Sequence, residues 1–534
     1  MDNQISLLPF ILILLTHLGY TNCATHTPII CNQTPYPELC ASLVSSSPQT
    51  TSLTENLPDF HDKSLRITLF EAQNAYKLIS DMDISSLDEL AKSALADCLE
   101  LYEDSIYQLN QSITSKNDPN ALADAQTWLS AAIANEQTCQ NGFLDFNLPK
   151  DHLPFMQTNF SKFLSNSLAI NNAMSLSSSS SSTFSLDKIK QNKNRRLLSV
   201  VKYTNDNDFP EWVSAGDRKL LQSPGPTIKA DVVVAQDGSG DYKTISEALA
   251  TSAKRMGSRR FVIYVKKGVY KENVVVKRTM KNLMLIGDGI EATVVTGSSN
   301  VEDGSTTFRS ATFAVSGGGF IARGITFENT AGPSKHQAVA FRSGSDLSVL
   351  YMCSFKGYQD TLYVYSQRQF YRACDIYGTI DFIFGDATVV IQNSNIYIKI
   401  SSSQWNTVTA QGRKDPHENT GIVVHNSRVV TSGLKTYLGR PWQRYSRTVF
   451  IKCEMDGGVD PAGWLEWNGD FALDTLYYGE YNNMGAGAGT GGRVRWAGFH
   501  VISSLEEAGK FSVGSFLGGG SWIPATGVPF TSGV

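Results

Sequence analysis

Between residues 90 and 141 apolar side chains recur every three or four positions: Leu90, Ala94, Cys98, Leu101, Tyr102, Ile106 and Leu109, then Leu122, Ala125, Leu129, Ala132 and Ile133. That period lays an apolar stripe along one face of each helix. Such stripes must be buried against other helices, so the pattern predicts an all-α bundle of the four-helix kind over residues 25–174. Beyond Pro226 the texture changes. Short runs rich in Val, Ile, Phe and Tyr, at 231–235, 261–265, 274–276, 283–286 and 293–296, are punctuated by Gly and Asn. Strands separated by turns have this appearance, and residues 227–534 are expected to be all-β.

The β part contains an internal repeat. Cys353-Ser-Phe-Lys-Gly357-Tyr-Gln-Asp360 realigns on Cys374-Asp-Ile-Tyr-Gly378-Thr-Ile-Asp381, with Cys, Gly and Asp each displaced by 21 residues. A period near 20 is that of a coiled β-solenoid. Successive rungs of such a coil lie about 4.8 Å apart, so residues one period apart sit above one another. Cys353 and Cys374 then fall within the roughly 4.4–6.8 Å Cα span of a disulfide and are expected to be bridged. Asp360 and Asp381 face the same way on adjacent rungs. Two like charges this close do not both ionise cheaply, so the pair should divide into one acid and one base.

The residues nearby decide what such a pair could do. Gln359 adjoins Asp360, Gln337 lies in a His-Gln-Ala-Val-Ala-Phe strand, and Arg440 heads Arg440-Pro441-Trp442. A glycosidase would use the two carboxylates as acid and nucleophile or base. A lyase would want an acidic, cation-binding cluster with Arg or Lys as base. An ester hydrolase would use one Asp as nucleophile, the other as acid, and amide donors for the oxyanion. Side-chain amides beside the dyad favour the ester hydrolase, because acyl transfer places negative charge on a carbonyl oxygen.

Composition and charge set the context. The 534 residues are too many for one core, and 41% hydrophobic against 18% charged residues indicates soluble globular units. Residues 1–221 carry 15 Lys+Arg against 24 Asp+Glu, a net charge of −9, whereas 222–534 carry 31 against 26, a net of +5. The apolar run at residues 5–18 followed by Thr21-Asn22-Cys23-Ala24 reads as a secretory signal over 1–24. Sequons at Asn32, Asn110 and Asn159 agree with passage through a secretory lumen and are candidate glycosylation sites. In that oxidising setting the eight cysteines are disulfide candidates rather than metal ligands. Cys31/Cys40 and Cys98/Cys139 can staple the helical part, and Cys453 is left without an obvious partner. Residues 175–226 are expected to form a linker, because the serine run at 177–182 cannot bury apolar surface. Its dibasic pairs, Arg195-Arg196 and Arg218-Lys219, are candidate sites for a processing protease.

Five ordered motifs then give the β part a family. Gly268-Val-Tyr-Lys-Glu272, Gln337-Ala-Val-Ala, Gly357-Tyr-Gln-Asp-Thr-Leu362, Asp381-Phe-Ile-Phe-Gly385 and Leu438-Gly-Arg-Pro-Trp442 resemble the successive signatures of plant pectin methylesterases. The Cys31/Cys40 and Cys98/Cys139 domain is similar to the plant invertase/pectin methylesterase inhibitor family, the usual pro-region of the longer enzymes. The resemblance implies a right-handed parallel β-helix at 227–534. It also implies hydrolysis of the C6 methyl ester of homogalacturonan to carboxylate and methanol, without cofactor or metal. Carried over by motif, Asp381 is the nucleophile and Asp360 the acid and then base. Gln337 and Gln359 stabilise the oxyanion, and Arg440 orients Asp381. Thr307, Trp442 and Trp464, with Gln337 and Arg440, would line the sugar cleft. The implied partners are methylesterified pectin, a processing protease, and a proteinaceous inhibitor or the chain's own pro-domain. The implied state is a secreted monomer in the cell wall. Blockwise or random action is not legible in the residues.

Three positions depart from the family pattern: Asp386 stands where Asn is common, Ser394 where Cys is frequent, and Ser305 where Trp is common. Other signals are weak. The glycines at 317–319 and 485–492 lack the Gly-Lys-Ser/Thr ending of a phosphate loop, no Gly-x-Ser-x-Gly elbow occurs, and Leu362 stands where an aspartic peptidase has Gly. A basic surface could also attract nucleic acid, which secretion argues against. A catalytically silent pectin-binding protein and a depolymerising enzyme are the rival readings.

Overall fold

In the computed structural model, residues 29–45, 57–85, 87–115, 118, 120–148, 153–180, 229–253, 259–400 and 404–534 are described. The expected signal region, 1–24, and both dibasic pairs lie outside these residues. The first part folds as helices α1 (Pro37–Ser45), α2 (Leu57–Ser80), α3 (Glu89–Thr114), α4 (Ala121–Asp145) and α5 (Phe160–Ser180). Asp88 starts α3 by accepting the Ala91 amide at 2.7 Å, satisfying one of the donors a helix start leaves open. The striped positions Cys98, Leu101, Leu109, Leu129 and Ala132 are buried together. Cys31–Cys40 and Cys98–Cys139 are disulfides, with Cα atoms 5.5 and 4.6 Å apart. One expectation is corrected here. The serines from 175 do not open the linker but continue α5 through Ser180, because a helix already nucleated and packed propagates cheaply through residues of neutral propensity.

The second part is a parallel β-helix whose strands form sheets of 11, 7 and 8 members among the described residues, every named pairing parallel. The 7-stranded sheet carries the register that matters: Phe341 pairs with Leu362 and Leu362 with Ile383, a step of 21 residues per rung. Inward side chains stack in ladders, with Phe313 on Phe341 and Phe327 on Phe355 at centroid separations of 5.7 Å. The outward row Ala314, Tyr363, Phe384 and Ala410 belongs to the same apolar cluster as the bundle core. The helices therefore dock on this sheet's outer face.

The free thiols form a second correction. Cys353 and Cys374 do stand on adjacent rungs but are not bridged, and with Cys453 they are buried and free. Each follows a left-handed corner: Met352, Ala373, Asn393, Asn426 and Lys452 have φ between 48° and 52°, and the next residues are Cys353, Cys374, Ser394, Ser427 and Cys453. A corner breaks the ladder of sheet hydrogen bonds and leaves the following amide without a backbone acceptor. The side chain one rung on supplies it. The Cys374 amide donates to Ser394 Oγ and the Ser394 amide to Ser427 Oγ, both at 3.1 Å. The amides of Ile325, Cys353 and Ser427 donate likewise to the sulfurs of Cys353, Cys374 and Cys453. Stacking thus turns the sulfurs in parallel toward the preceding rung instead of toward each other, and burial pushes the thiols of Cys353 and Cys453 up to about 12.

Candidate active site

The pairing of Leu362 with Ile383 places Asp360, two residues before one strand, directly over Asp381, two residues before the next. Both aspartates adopt left-handed backbone, φ 61° and 52°, which turns each side chain out of the sheet at the corner. Such a conformation costs a non-glycine residue about 1 kcal/mol or more, and functional positions are where folds tolerate that strain. The two carboxyls line one cavity of about 280 Å³ together with Thr307, Gln337, Gln359, Arg440 and Trp442. Of the residues carried over by motif, Trp464 is absent from this lining.

The carboxyls are chemically unequal. Arg440 donates from Nε to both oxygens of Asp381, at 2.9 and 3.1 Å, and from Nη2 to Oδ2 at 2.5 Å. The Thr407 hydroxyl donates to Asp381 Oδ1 at 2.6 Å. Asp381 is thereby fixed as a multiply hydrogen-bonded carboxylate. Asp360 has no such clamp. Burial, then the neighbouring Asp381 charge, then Asp145, hold its carboxyl well above the usual carboxylate range, with Arg440 opposing.

Trp464 is the third correction. It is 1% exposed, stacks on Tyr478 at 4.1 Å between centroids and donates its indole N–H to Glu480. Its bridge to Gly439 carries it into the coil's core rather than the cleft. Three residues on, Trp467 takes the predicted place: it lines the cavity and lies 4.3 Å from the Arg440 guanidinium. The spacing Trp464-Leu-Glu-Trp467 held the signal for this pair, since strand and turn geometry sends only one of two such residues inward.

Sequence reasoning also missed what closes the cavity. Thr138, Asn141, Gly142, Leu144 and Asp145, all at the end of α4, complete its lining. Asp145 accepts the Thr307 amide at 2.8 Å. Around this plug the acidic bundle grips the basic coil: Glu136 meets Lys414 at 3.0 Å, Asp124 meets Arg368 at 2.6 Å, Asp104 meets Arg278 at 2.5 Å, and Asp97 pairs with Arg309.

Asp386 lies outside the cavity. Its Oδ1 accepts from Gln411 and Thr420, while its Oδ2 and Glu418 Oε1 are buried with no donor among the described residues. Burial raises Asp386 to about 6 and Glu418 well above its usual value, the second being pushed further by Asp386. This is the arrangement of a carboxyl pair sharing one proton. Of the sequons, Asn32 and Asn159 are exposed, whereas Asn110 is half-buried on α3 and donates to the Ile106 carbonyl. His336 is exposed beside Glu302. No described helix is long and apolar enough to cross a membrane.

Comparison with known proteins agrees over both parts. The model of the pectinesterase family matches residues 231–520, and that of the plant invertase/pectin methylesterase inhibitor family matches residues 29–170. A probable pectinesterase/pectinesterase inhibitor 6 of Arabidopsis thaliana is 51% identical over 560 residues, covering 100% of each chain. Pectinesterase 2 of Citrus sinensis is 48% identical with 98% of each chain covered. Among solved structures, a pectin methylesterase from carrot is 56% identical and covers 58% of this chain and 99% of its own, with a TM-score of 0.57.

Proposed function

The chain belongs to the pectinesterase family and is a pectin methylesterase with an inhibitor-family domain ahead of it, and from that premise we propose that Asp381 carries the acyl group while Asp360 handles the proton. Asp381 attacks the C6 carbonyl of a methylated galacturonate, and the carbonyl π electrons move onto oxygen. Gln337 and Gln359 meet that developing charge with amide donors. The tetrahedral intermediate collapses by breaking the bond to methoxide, which takes the proton of Asp360 and leaves as methanol. A water molecule then attacks the acyl-enzyme, giving one proton to Asp360 and breaking the bond to Asp381, which leaves as its carboxylate; the uronic acid released loses its remaining proton to solvent. Arg440 holds the Asp381 carboxylate in place for the attack.

One observation carries this division of roles: two stacked carboxyls share a cavity, and only one is clamped by a guanidinium. Trp442 and Trp467 offer apolar faces suited to pyranose rings. Methanol release from methylated pectin by residues 227–534 is the test. Asp381→Asn should reduce turnover by about a thousandfold or more, as loss of a covalent nucleophile does. Methanol release persisting near the wild-type rate would reject the assignment.

The α4 plug supports an inhibitory role for the bundle, since Asp145 and Leu144 fill space a sugar needs. In this reading residues 25–174 form the inhibitory pro-domain, 175–226 contain the processing sites, and cleavage at Arg195-Arg196 or Arg218-Lys219 frees the enzyme. The sequons and the apolar start support secretion of a glycosylated monomer to the cell wall. Cleavage of the full chain between the two parts should raise methanol release; unchanged activity would assign the bundle a folding role instead.

A further inference from the structure

Gln337 reaches the catalytic cavity from a strap that joins the strands Thr326–Asn329 and Phe341–Ser343. Its side-chain amide makes no hydrogen bond among the described residues, so the backbone sets where it points. The Gln337 carbonyl accepts the Val301 amide at 3.1 Å, and the following amide, of Ala338, donates to the Gln359 carbonyl at 3.3 Å.

The residue before Gln337 is strained. His336 has φ 54° and ψ −131°, a conformation natural to glycine at the first central position of a tight turn. A β-carbon makes it costly, and such outliers persist only where the surroundings over-determine them. Here the surroundings are a second loop, residues 300–304. Asn300, 1% exposed, donates to Asp303 Oδ2 at 2.8 Å and accepts the Asp303 amide at 2.9 Å, which makes that loop a rigid frame. Three contacts in consecutive residues tie the strap to it: Lys335 Nζ to Asp303 at 2.5 Å, His336 Nε2 to Glu302 at 3.8 Å, and the Gln337 carbonyl to Val301. The His336 and Glu302 side chains are 60% and 53% exposed, and pairs this exposed add little stability. Their effect is on geometry. Glycine would enter this turn freely and leave it as freely, whereas the imidazole closes on Glu302 and holds the strap to one path.

We propose that His336 is a positioning residue: strained in its turn and pinned to Glu302, it aims the Gln337 amide at the carbonyl oxygen of the ester under attack. It touches no reacting atom itself. The strain keeps a donor fixed before substrate arrives, which is what makes an oxyanion donor effective. This inference rests on the esterase reading above and deepens it.

The test uses residues 227–534, since the carrot counterpart, matched over 99% of its length, exists as a folded chain without a bundle. Methanol release from methylated pectin gives kcat and KM, and thermal unfolding gives Tm. Outright loss of an oxyanion donor lowers kcat by about a hundredfold to a thousandfold, so a donor present but loosely aimed should lose about tenfold. His336→Gly should therefore lower kcat by about tenfold with KM within about twofold, while Tm stays level or rises as the strain is relieved. His336→Gln keeps a donor at the reach of Nε2 and should restore most of kcat. In a Gln337→Ala background His336→Gly should cost nothing further, because the group it aims is gone. Unchanged kcat in His336→Gly, a loss matched by a fall in Tm, or a loss that persists in full without Gln337 would each overturn the inference. Inactivity of wild type would overturn the esterase reading beneath it.

Discussion

Docking of the bundle should tighten on acidification, by an amount that follows from two residues of α3. Asp97 and Asp104 are buried between helix and coil, with side chains 1% and 19% exposed. Burial lifts each carboxyl from 3.8 to about 6, against the opposing pull of Arg309 and Arg278 respectively. In a released bundle both would face water and return to the ordinary value. The docked form therefore binds more protons than the separated parts, and the sign follows from linkage. The contribution that favours docking is fully present below the unshifted value of 3.8 and is lost as pH rises through about 6. Between about pH 5 and pH 7.5 each group changes the docking free energy by about 1.4 kcal/mol, and the two together change affinity by about a hundredfold. Asp124 and Asp145, also raised by burial, act in the same direction. The measurement is the dissociation constant of the bundle from the coil after the linker is cut, taken by calorimetry at constant ionic strength. Asp97→Asn should remove about one factor of ten from the pH effect. Affinity that is flat, or that weakens toward acid, would refute the reasoning.

Other outcomes follow from single positions. Trp464→Ala should cost about 3–5 kcal/mol of stability, visible as a lowered Tm, because it empties a core site; Trp467→Ala should raise KM and leave Tm nearly unchanged. Cys374→Ser should be well tolerated, since Ser394 and Ser427 perform the same corner bond, whereas Cys374→Val should cost about 1–3 kcal/mol in denaturant titration by orphaning the Cys353 amide. The Asp386–Glu418 pair binds extra protons when folded, so stability should fall as pH rises through about 6. Asp386→Asn should flatten that fall, as read from Tm across pH.

Much of this was legible in the residues because of one number. The 21-residue offset fixed which side chains stack, and stacking alone brought Asp360 over Asp381. Helical periodicity likewise marked α3 and α4. What escaped were properties set by direction rather than spacing. Cys353 and Cys374 are at bonding height, yet the unfilled amide at each corner decides where their sulfurs point. Trp464 and Trp467 carry equal chemical promise, and only the local turn sends one inward. Asp145 was invisible for another reason. It gains its meaning from a surface contributed by the other half of the chain, which no local motif records.

The distribution of cross-links has a consequence for how the chain matures. Among the described residues both disulfides lie in the helical half, while the three thiols of the coil are buried and free. The coil can therefore reach its native state with no oxidant, whereas the bundle depends on one for its full rigidity. Mild reductant should soften the guard and leave the machinery intact, giving the protein two halves that fail under different stresses.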